Sequence, residues 1–102
     1  MRRLLWLLVC AAGPALAADE GLDAGKALFT KQAVPACAVC HTLKDAGSTG
    51  DVGPSLDELK PASDRVINAL RNGVGLMPSY KDTLTDAQIR AIARYVSTVS
   101  GR

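Results

Sequence analysis

Two cysteines stand three positions apart, directly before the only histidine of this chain, in the run Cys37-Ala38-Val39-Cys40-His41. Imidazole is the commonest transition-metal ligand in proteins, so a single histidine excludes most metal cages. A structural zinc site needs four ligands. This run supplies fewer, and the adjacent Cys40 and His41 are poorly placed to bind one ion together. Any site chemistry is therefore expected to be built around His41.

Two further interpretations of the run differ in the fold that they require. A thiol–disulfide oxidoreductase would carry the cysteine pair at a strand-to-helix junction of a thioredoxin-like domain, and the sequence shows no alternation of strands with helices. The pattern Cys-x-x-Cys-His also signals covalent attachment of a c-type haem. Because residues i and i+3 share one face of a helical turn, Cys37 and Cys40 can both reach the vinyl groups of one porphyrin. His41 then follows as a ligand to the iron.

Residues 1–18 have the pattern of a cleaved secretory signal peptide. Two arginines precede an apolar run over residues 4–12, and small residues follow it. The run is about nine residues long, against the roughly 20 that span a bilayer, which argues against a retained membrane anchor. We therefore predict export to the periplasm, cleavage after Ala17 or Ala18, no stable membrane insertion, and a single domain over residues 19–102.

Removing this leader changes the composition from which the fold is built. The full chain has twelve basic and ten acidic residues, and the loss of two leader arginines makes the two kinds equal. No stripe of basic and aromatic side chains supports binding to nucleic acid. Domains of this size bury only about 60% of the surface that the unfolded chain exposes, and they often need an additional stabilising element such as a disulfide or a metal. Only Phe29, Tyr80 and Tyr95 remain as aromatic residues, so the core is thin, as in a domain built around a large bound ring.

Met77 is the only methionine beyond the leader. A buried methionine is more often core filler than a ligand. Met77, however, lies in a segment punctuated by glycines and by Pro78 rather than on a helix face, and such a loop can present a thioether to a metal. Together with the haem-attachment pattern, this position predicts His41 and Met77 as the two ligands of one iron.

At these positions the chain resembles the small class I c-type cytochromes, and the resemblance covers most of the sequence after the leader. Gly25 and Phe29 are similar to the glycine and the aromatic residue of that family's first helix. Residues 53–56 resemble its Gly-Pro-x-Leu segment. In the family the proline carbonyl accepts a hydrogen bond from the iron-binding histidine, which implies that Pro54 orients His41. The spacing from histidine to methionine is similar to that of the compact bacterial members.

The resemblance implies an all-α fold, the small cytochrome c fold, with three to four helices and the first and last crossing around one haem. It implies haem c attached through Cys37 and Cys40, in a one-electron carrier that is not an enzyme. An iron held by both His41 and Met77 has no open position for a substrate, so electrons would pass through the haem edge. The expected partners of this monomer are a donor dehydrogenase and an acceptor oxidase or cytochrome. Residues 44–61 also resemble small periplasmic cytochromes that accept electrons from sulfite dehydrogenases.

Two other functions stay open at this point. The chain could be a cytochrome subunit of a larger dehydrogenase complex, or, if Met77 bound the iron only loosely, a gas-sensing or peroxidatic haem protein. Arg71 is a candidate partner for a haem propionate. Four lysines are candidates for the rim of a docking surface, although scattered solvated lysines are an equally good interpretation: Lys26, Lys31, Lys44 and Lys81.

Apolar residues at helical spacing predict three helices independently of the resemblance. The last of them begins at Thr85, whose side chain is placed to cap it, and Gln88 completes a capping box. The segment between Leu43 and Ser55 is predicted as a polar loop without strand alternation. The predicted helices begin near Leu22, near Pro61 or Ser63, and at Thr85, and they end near Gln32, Gly73 and Val99.

Overall fold

The structure is a computed structural model that describes residues 15–102, with side chains from residue 21 onward. Residues 1–14 of the expected leader lie outside the described residues, and residues 15–18 belong to the first helix. The signal peptide and its cleavage therefore stay predictions. Within the described range, no helix has the length and apolar character needed to cross a membrane.

Helices dominate the described chain, which confirms the predicted all-α class. In chain order they are α1 (Ala15–Ala27), α2 (Cys37–Cys40), α3 (Leu56–Leu59), α4 (Ser63–Asn72) and α5 (Asp86–Val99). α1 continues without a break into a wider, π-helical turn over Leu28–Gln32. Helices α2 and α3 are single turns, so the three longer helices correspond to the three that the apolar pattern predicts.

The ends of these helices follow local signals in the sequence. The Thr85 hydroxyl accepts a hydrogen bond from the Gln88 N–H at 3.1 Å, and the Gln88 side chain accepts one from the Thr85 N–H at 2.9 Å, which is the predicted capping box. α4 ends before Gly73, as predicted. α1 begins at Ala15 rather than near Leu22, because the intervening residues are mostly alanine, leucine and glutamate, which favour helices.

The predicted polar loop between Leu43 and Ser55 contains a minimal hairpin. Strand β1 (Thr42–Leu43) pairs in antiparallel fashion with β2 (Ser48–Thr49), and a 3-10 turn over Lys44–Ala46 connects them. Strands of two residues are too short to show alternation in a sequence. Leu43 is fully buried, so the hairpin adds to the core.

The first helix packs against the last, as the resemblance implies, and α4 packs against α5 as well. The rings of Phe29 and Tyr95 meet edge-on, with their centroids 5.9 Å apart. The Tyr95 hydroxyl donates a 2.7 Å hydrogen bond to Asp45 in the turn between the strands. The predicted inner face of α5 is buried throughout: Ile89, Ile92, Ala93, Val96 and Val99.

Gly25 permits the close approach of α1 to α5. A Cβ at this position would lie 2.4 Å from the Ala91 carbonyl oxygen and 2.5 Å from the Tyr95 Cβ, so the helices would have to separate. Although alanine favours helices more than glycine does, we expect Gly25→Ala to lower the free energy of unfolding by about 1–3 kcal/mol, as overpacked cores do. Equilibrium unfolding in guanidinium chloride measures this loss.

Gly21→Ala is the matched control, because it adds the same methyl group to the same helix. There the new Cβ would meet only the end of the Arg94 side chain, with the nearest atom at 3.1 Å, and that side chain is free to move. We expect this variant to keep the wild-type stability or to gain slightly from helix propensity. Equal unfolding midpoints for the two variants would contradict a tight contact at Gly25.

Candidate functional site

A cleft of about 350 Å³ opens between the helices and the loops that connect them. Core side chains reach its surface, among them Phe29, Leu70, Ile92 and Val96. Among its described lining residues, Arg65 carries the only charge. An apolar cleft of this size falls within the range of small-molecule and cofactor sites. The residues singled out from the sequence all line it: Cys37, Cys40, His41, Pro54 and Met77.

Helix α2 carries both cysteines and ends directly before His41. One helical turn places Cys37 and Cys40 on the same side, and the His41 N–H donates to the Cys37 carbonyl at 3.1 Å. Both cysteines are free thiols, and burial raises the pKa of the Cys37 thiol to about 11. Cys37 therefore lacks the lowered thiol pKa that is typical of a disulfide-exchange nucleophile.

The zinc interpretation finds no support in the part of the chain that the structure describes. Across residues 21–102, histidine, cysteine, aspartate and glutamate side chains form no group of three or more that could hold a metal ion. A structural zinc ion needs four such ligands. Among the described residues, the cysteines and His41 therefore do not complete a structural zinc site.

The His41 imidazole has a fixed orientation and tautomer. Its Nδ1 lies 2.8 Å from the Pro54 carbonyl oxygen. A carbonyl only accepts hydrogen bonds, so Nδ1 is the donor, and in a neutral imidazole Nε2 is then the nitrogen left to bind a metal. This is the contact that the resemblance implies for Pro54, and a hydrogen bond of this kind raises the basicity of Nε2.

Gly53 allows the chain to pass close to the imidazole ring. A Cβ at position 53 would lie 2.6 Å from Cε1 of His41 and 3.0 Å from its Nδ1. The Gly53 N–H also donates to the Cys40 carbonyl at 2.8 Å, which ties this segment to α2. In the sequence, Gly53 appears only as the glycine of the Gly-Pro-x-Leu resemblance, and its contact with the imidazole ring is seen only in the structure.

Met77 closes a tight turn that follows α4. Val74 and Met77 exchange two backbone hydrogen bonds, of 3.0 and 2.8 Å. Both Met77 and its neighbour Leu76 line the cleft, but Met77 is half-buried whereas Leu76 is 89% exposed. The turn therefore places Met77 in the more enclosed part of the cleft and Leu76 at its edge with solvent.

Tyr80 also lines the cleft, three residues beyond Met77. Its side chain is buried, and its hydroxyl donates a 2.6 Å hydrogen bond to the Pro35 carbonyl. Burial raises the pKa of Tyr80 to about 12, so the hydroxyl is protonated and remains a donor at neutral pH. From the sequence Tyr80 is only one of three aromatic residues beyond the leader. The only indication available from the sequence is the general rule that a buried tyrosine hydroxyl needs a hydrogen-bond partner.

The charged residues named as candidates from the sequence do not line the cleft. Arg71 pairs with Asp86 at 3.2 Å and does not line the cleft, whereas Arg65 does. Arg65, not Arg71, is thus the arginine placed to meet an acidic group there. None of the four candidate docking lysines lines the cleft, and Lys26 pairs with Asp45 at 3.7 Å.

Comparisons with known proteins agree with this geometry. Residues 20–96 match a family model described as cytochrome c oxidase, cbb3-type, subunit III. The crystal structure of the c-type cytochrome SorU from Sinorhizobium meliloti is 50% identical in sequence, with a TM-score of 0.79, over 82% of this chain and 95% of that one. The chain belongs to the c-type cytochromes. A search among curated proteins finds no match to this cytochrome.

The predicted resemblance to class I c-type cytochromes is thereby confirmed, and with it the biochemical class of an electron carrier. Cytochromes of this type carry covalently attached haem c, the predicted cofactor. The residues of this cytochrome fit that group. The cleft is apolar, Cys37 and Cys40 line it one helical turn apart, and the Pro54 carbonyl engages Nδ1 of His41 and leaves Nε2 for the iron.

Proposed function

We propose that this cytochrome carries single electrons through one haem, attached at Cys37 and Cys40 and ligated by His41 and Met77. The observation that carries the proposal is the convergence of these four residues on one apolar cleft. They come from two separate segments of the chain, residues 37–41 and the turn at Met77, so local structure alone does not bring them together. Pro54 completes the set through its hydrogen bond to His41.

The protein's own residues set the conditions for this transfer. Haem iron, when bound, supplies the one-electron change. Pro54 holds the imidazole in one orientation, which limits rearrangement between the two oxidation states. The neutral thioether of Met77 favours the reduced state and raises the potential. With both ligand positions filled, no substrate binds the iron, and the site acts as a carrier rather than as an enzyme.

Electrons would pass where the cleft meets solvent. Three exposed apolar side chains, Val52, Val74 and Leu76, line the cleft at this boundary. The candidate docking lysines do not line it. The contact surface for a redox partner is therefore mainly apolar at the cleft, with Arg65 as the one charged residue among its described lining residues.

The donor that we propose is a periplasmic sulfite dehydrogenase, with an oxidase or another cytochrome as acceptor and the cytochrome itself as a monomer. The support is the resemblance of residues 44–61 to periplasmic cytochromes that accept electrons from such enzymes. A free carrier requires only brief contact with the donor. A subunit of a dehydrogenase complex would co-elute with it in gel filtration, whereas a carrier would be reduced by the enzyme and elute alone.

Optical spectra of the purified holoprotein test the ligand assignment. Ferric haem ligated by methionine shows a weak far-red absorption band, and we expect that band in the wild type. We also expect the reduced protein to resist carbon monoxide, because Met77 occupies the position that the gas would need. A missing far-red band together with ready binding of carbon monoxide would instead favour a gas-sensing or peroxidatic protein.

A further inference from the structure

The segment that carries Met77 is fastened to α4 along one side. The Tyr80 N–H donates to the Leu70 carbonyl at 2.7 Å, and the Ser79 hydroxyl donates to the Arg71 carbonyl. Both acceptors belong to the last turns of α4. These bonds attach the segment to α4. They do not connect it to the side of the cleft that carries the cysteines.

One hydrogen bond makes that second connection. The Tyr80 hydroxyl donates to the Pro35 carbonyl at 2.6 Å, joining residues 45 positions apart. Pro35 lies two residues before Cys37, and both line the cleft. Among the hydrogen bonds of the described residues, this is the only one between residues 73–84 and residues 33–41. Tyr80 is only 4% exposed, so water does not readily replace Pro35 as its partner.

We propose that Tyr80 is a positioning residue for Met77. Its hydroxyl holds the methionine segment against the segment that leads into α2, and thereby keeps the thioether on the iron. This inference rests on the proposed ligation by Met77. A thioether is a neutral ligand without a hydrogen bond of its own to fix it, so its residence on the iron depends on the loop. Opening of that loop requires the bond between Tyr80 and Pro35 to break.

Losing one hydrogen bond of this kind shifts an opening equilibrium by a modest factor. We expect the Met77 segment of Tyr80→Phe to open about 3- to 10-fold more often than in the wild type. The substitution keeps the ring that packs in the cleft and removes only the hydroxyl. The effect should therefore appear in the exchange of the iron ligand more than in the packing of the fold.

Tyr95→Phe is the matched control. Tyr95 is also buried, and its hydroxyl also makes one hydrogen bond, of 2.7 Å, to Asp45. Tyr95 does not line the cleft. We expect Tyr80→Phe and Tyr95→Phe to lose similar amounts of thermal stability. If Tyr80 has a purely structural role, the two variants should also exchange the iron ligand at the same rate.

The experiment mixes ferric holoprotein with saturating imidazole in a stopped-flow instrument. Imidazole replaces methionine only after the thioether leaves, so the limiting rate reports loop opening. We expect this rate to rise about 3- to 10-fold in Tyr80→Phe and to stay at the wild-type value in Tyr95→Phe. Equal rates in all three proteins would overturn the role of Tyr80 while leaving ligation by Met77 intact. A wild type without the far-red band would instead overturn the ligation itself, and the inference with it.

A measurement on the wild type covers the case in which Tyr80→Phe does not mature. The Tyr80 hydroxyl proton, observed by NMR in the reduced or ferric holoprotein, should exchange slowly with water. Once imidazole has displaced Met77, we expect that exchange to become fast, because the bond to Pro35 opens with the loop. Unchanged protection of this proton in the imidazole complex would overturn the proposal.

Discussion

Replacing both Cys37 and Cys40 by alanine is expected to leave the haem-free chain largely unfolded. The cleft of about 350 Å³ is bordered by the same side chains that form the core, among them Phe29, Ile92 and Val96. An empty void of that volume costs on the order of 8 kcal/mol at about 24 cal/mol per Å³. Because the cleft opens to solvent, this figure is an upper bound. It is still comparable with the total stability of about 5–15 kcal/mol of a typical domain.

Far-ultraviolet circular dichroism during thermal unfolding measures this effect. Cys37→Ala alone is the control, because it leaves one thiol for attachment, and we expect it to retain haem and most of its helicity. Adding haem back to the double variant should restore helix if burial and iron ligation, rather than the covalent bonds, organise the fold. A cooperative transition in the haem-free double variant near the wild-type temperature would show that the polypeptide folds by itself.

Met77→Ala is expected to abolish the far-red band of the ferric protein and to open the iron to carbon monoxide. Loss of the thioether removes the ligand that favours the reduced state, so the potential should fall, on the order of 0.1 V within the roughly 0.8 V range that axial ligands set. Optical titration against redox mediators measures the potential, and the spectrum of the reduced protein under carbon monoxide measures access to the iron.

Leu76→Ala provides a matched control within the same turn. Leu76 precedes Met77 directly and lines the solvent-exposed edge of the cleft; shortening it alters the same turn but keeps the thioether, so the band and the resistance to carbon monoxide should be retained. A Met77→Ala protein that kept the band would place the ligand elsewhere in the chain. Loss of the band in both variants would mean that the turn, rather than the thioether, had been disrupted.

Features encoded by neighbouring residues could be predicted from the sequence. The capping box of Thr85 and Gln88 needs only residues three apart, and the placement of Cys37, Cys40 and His41 needs only one helical turn. These signals survive in any fold because the partners are always close in the chain.

Contacts between distant segments could not be predicted in the same way. Whether the Tyr80 hydroxyl meets the Pro35 carbonyl depends on how the two sides of the cleft come together. The passage of Gly53 beside the His41 ring depends on the course of a long loop. Likewise, the sequence shows that Arg71 is positively charged but not which residue it pairs with. In the structure its partner is Asp86 rather than a group in the cleft. The hydrogen bond between His41 and Pro54 could be predicted only from the family resemblance, because residue spacing gives no indication of it.

Some side chains belong both to the wall of the cleft and to the hydrophobic core. Phe29 packs its ring against Tyr95 in the contact between α1 and α5, and the same side chain lines the cleft, as do Ile92 and Val96 of α5. A substitution that disturbs the helix contact therefore also changes the surroundings of the pigment. Colour would consequently report on core packing, and a colony screen by eye for altered or missing red pigment would collect destabilised variants of α1 and α5 along with ligand variants.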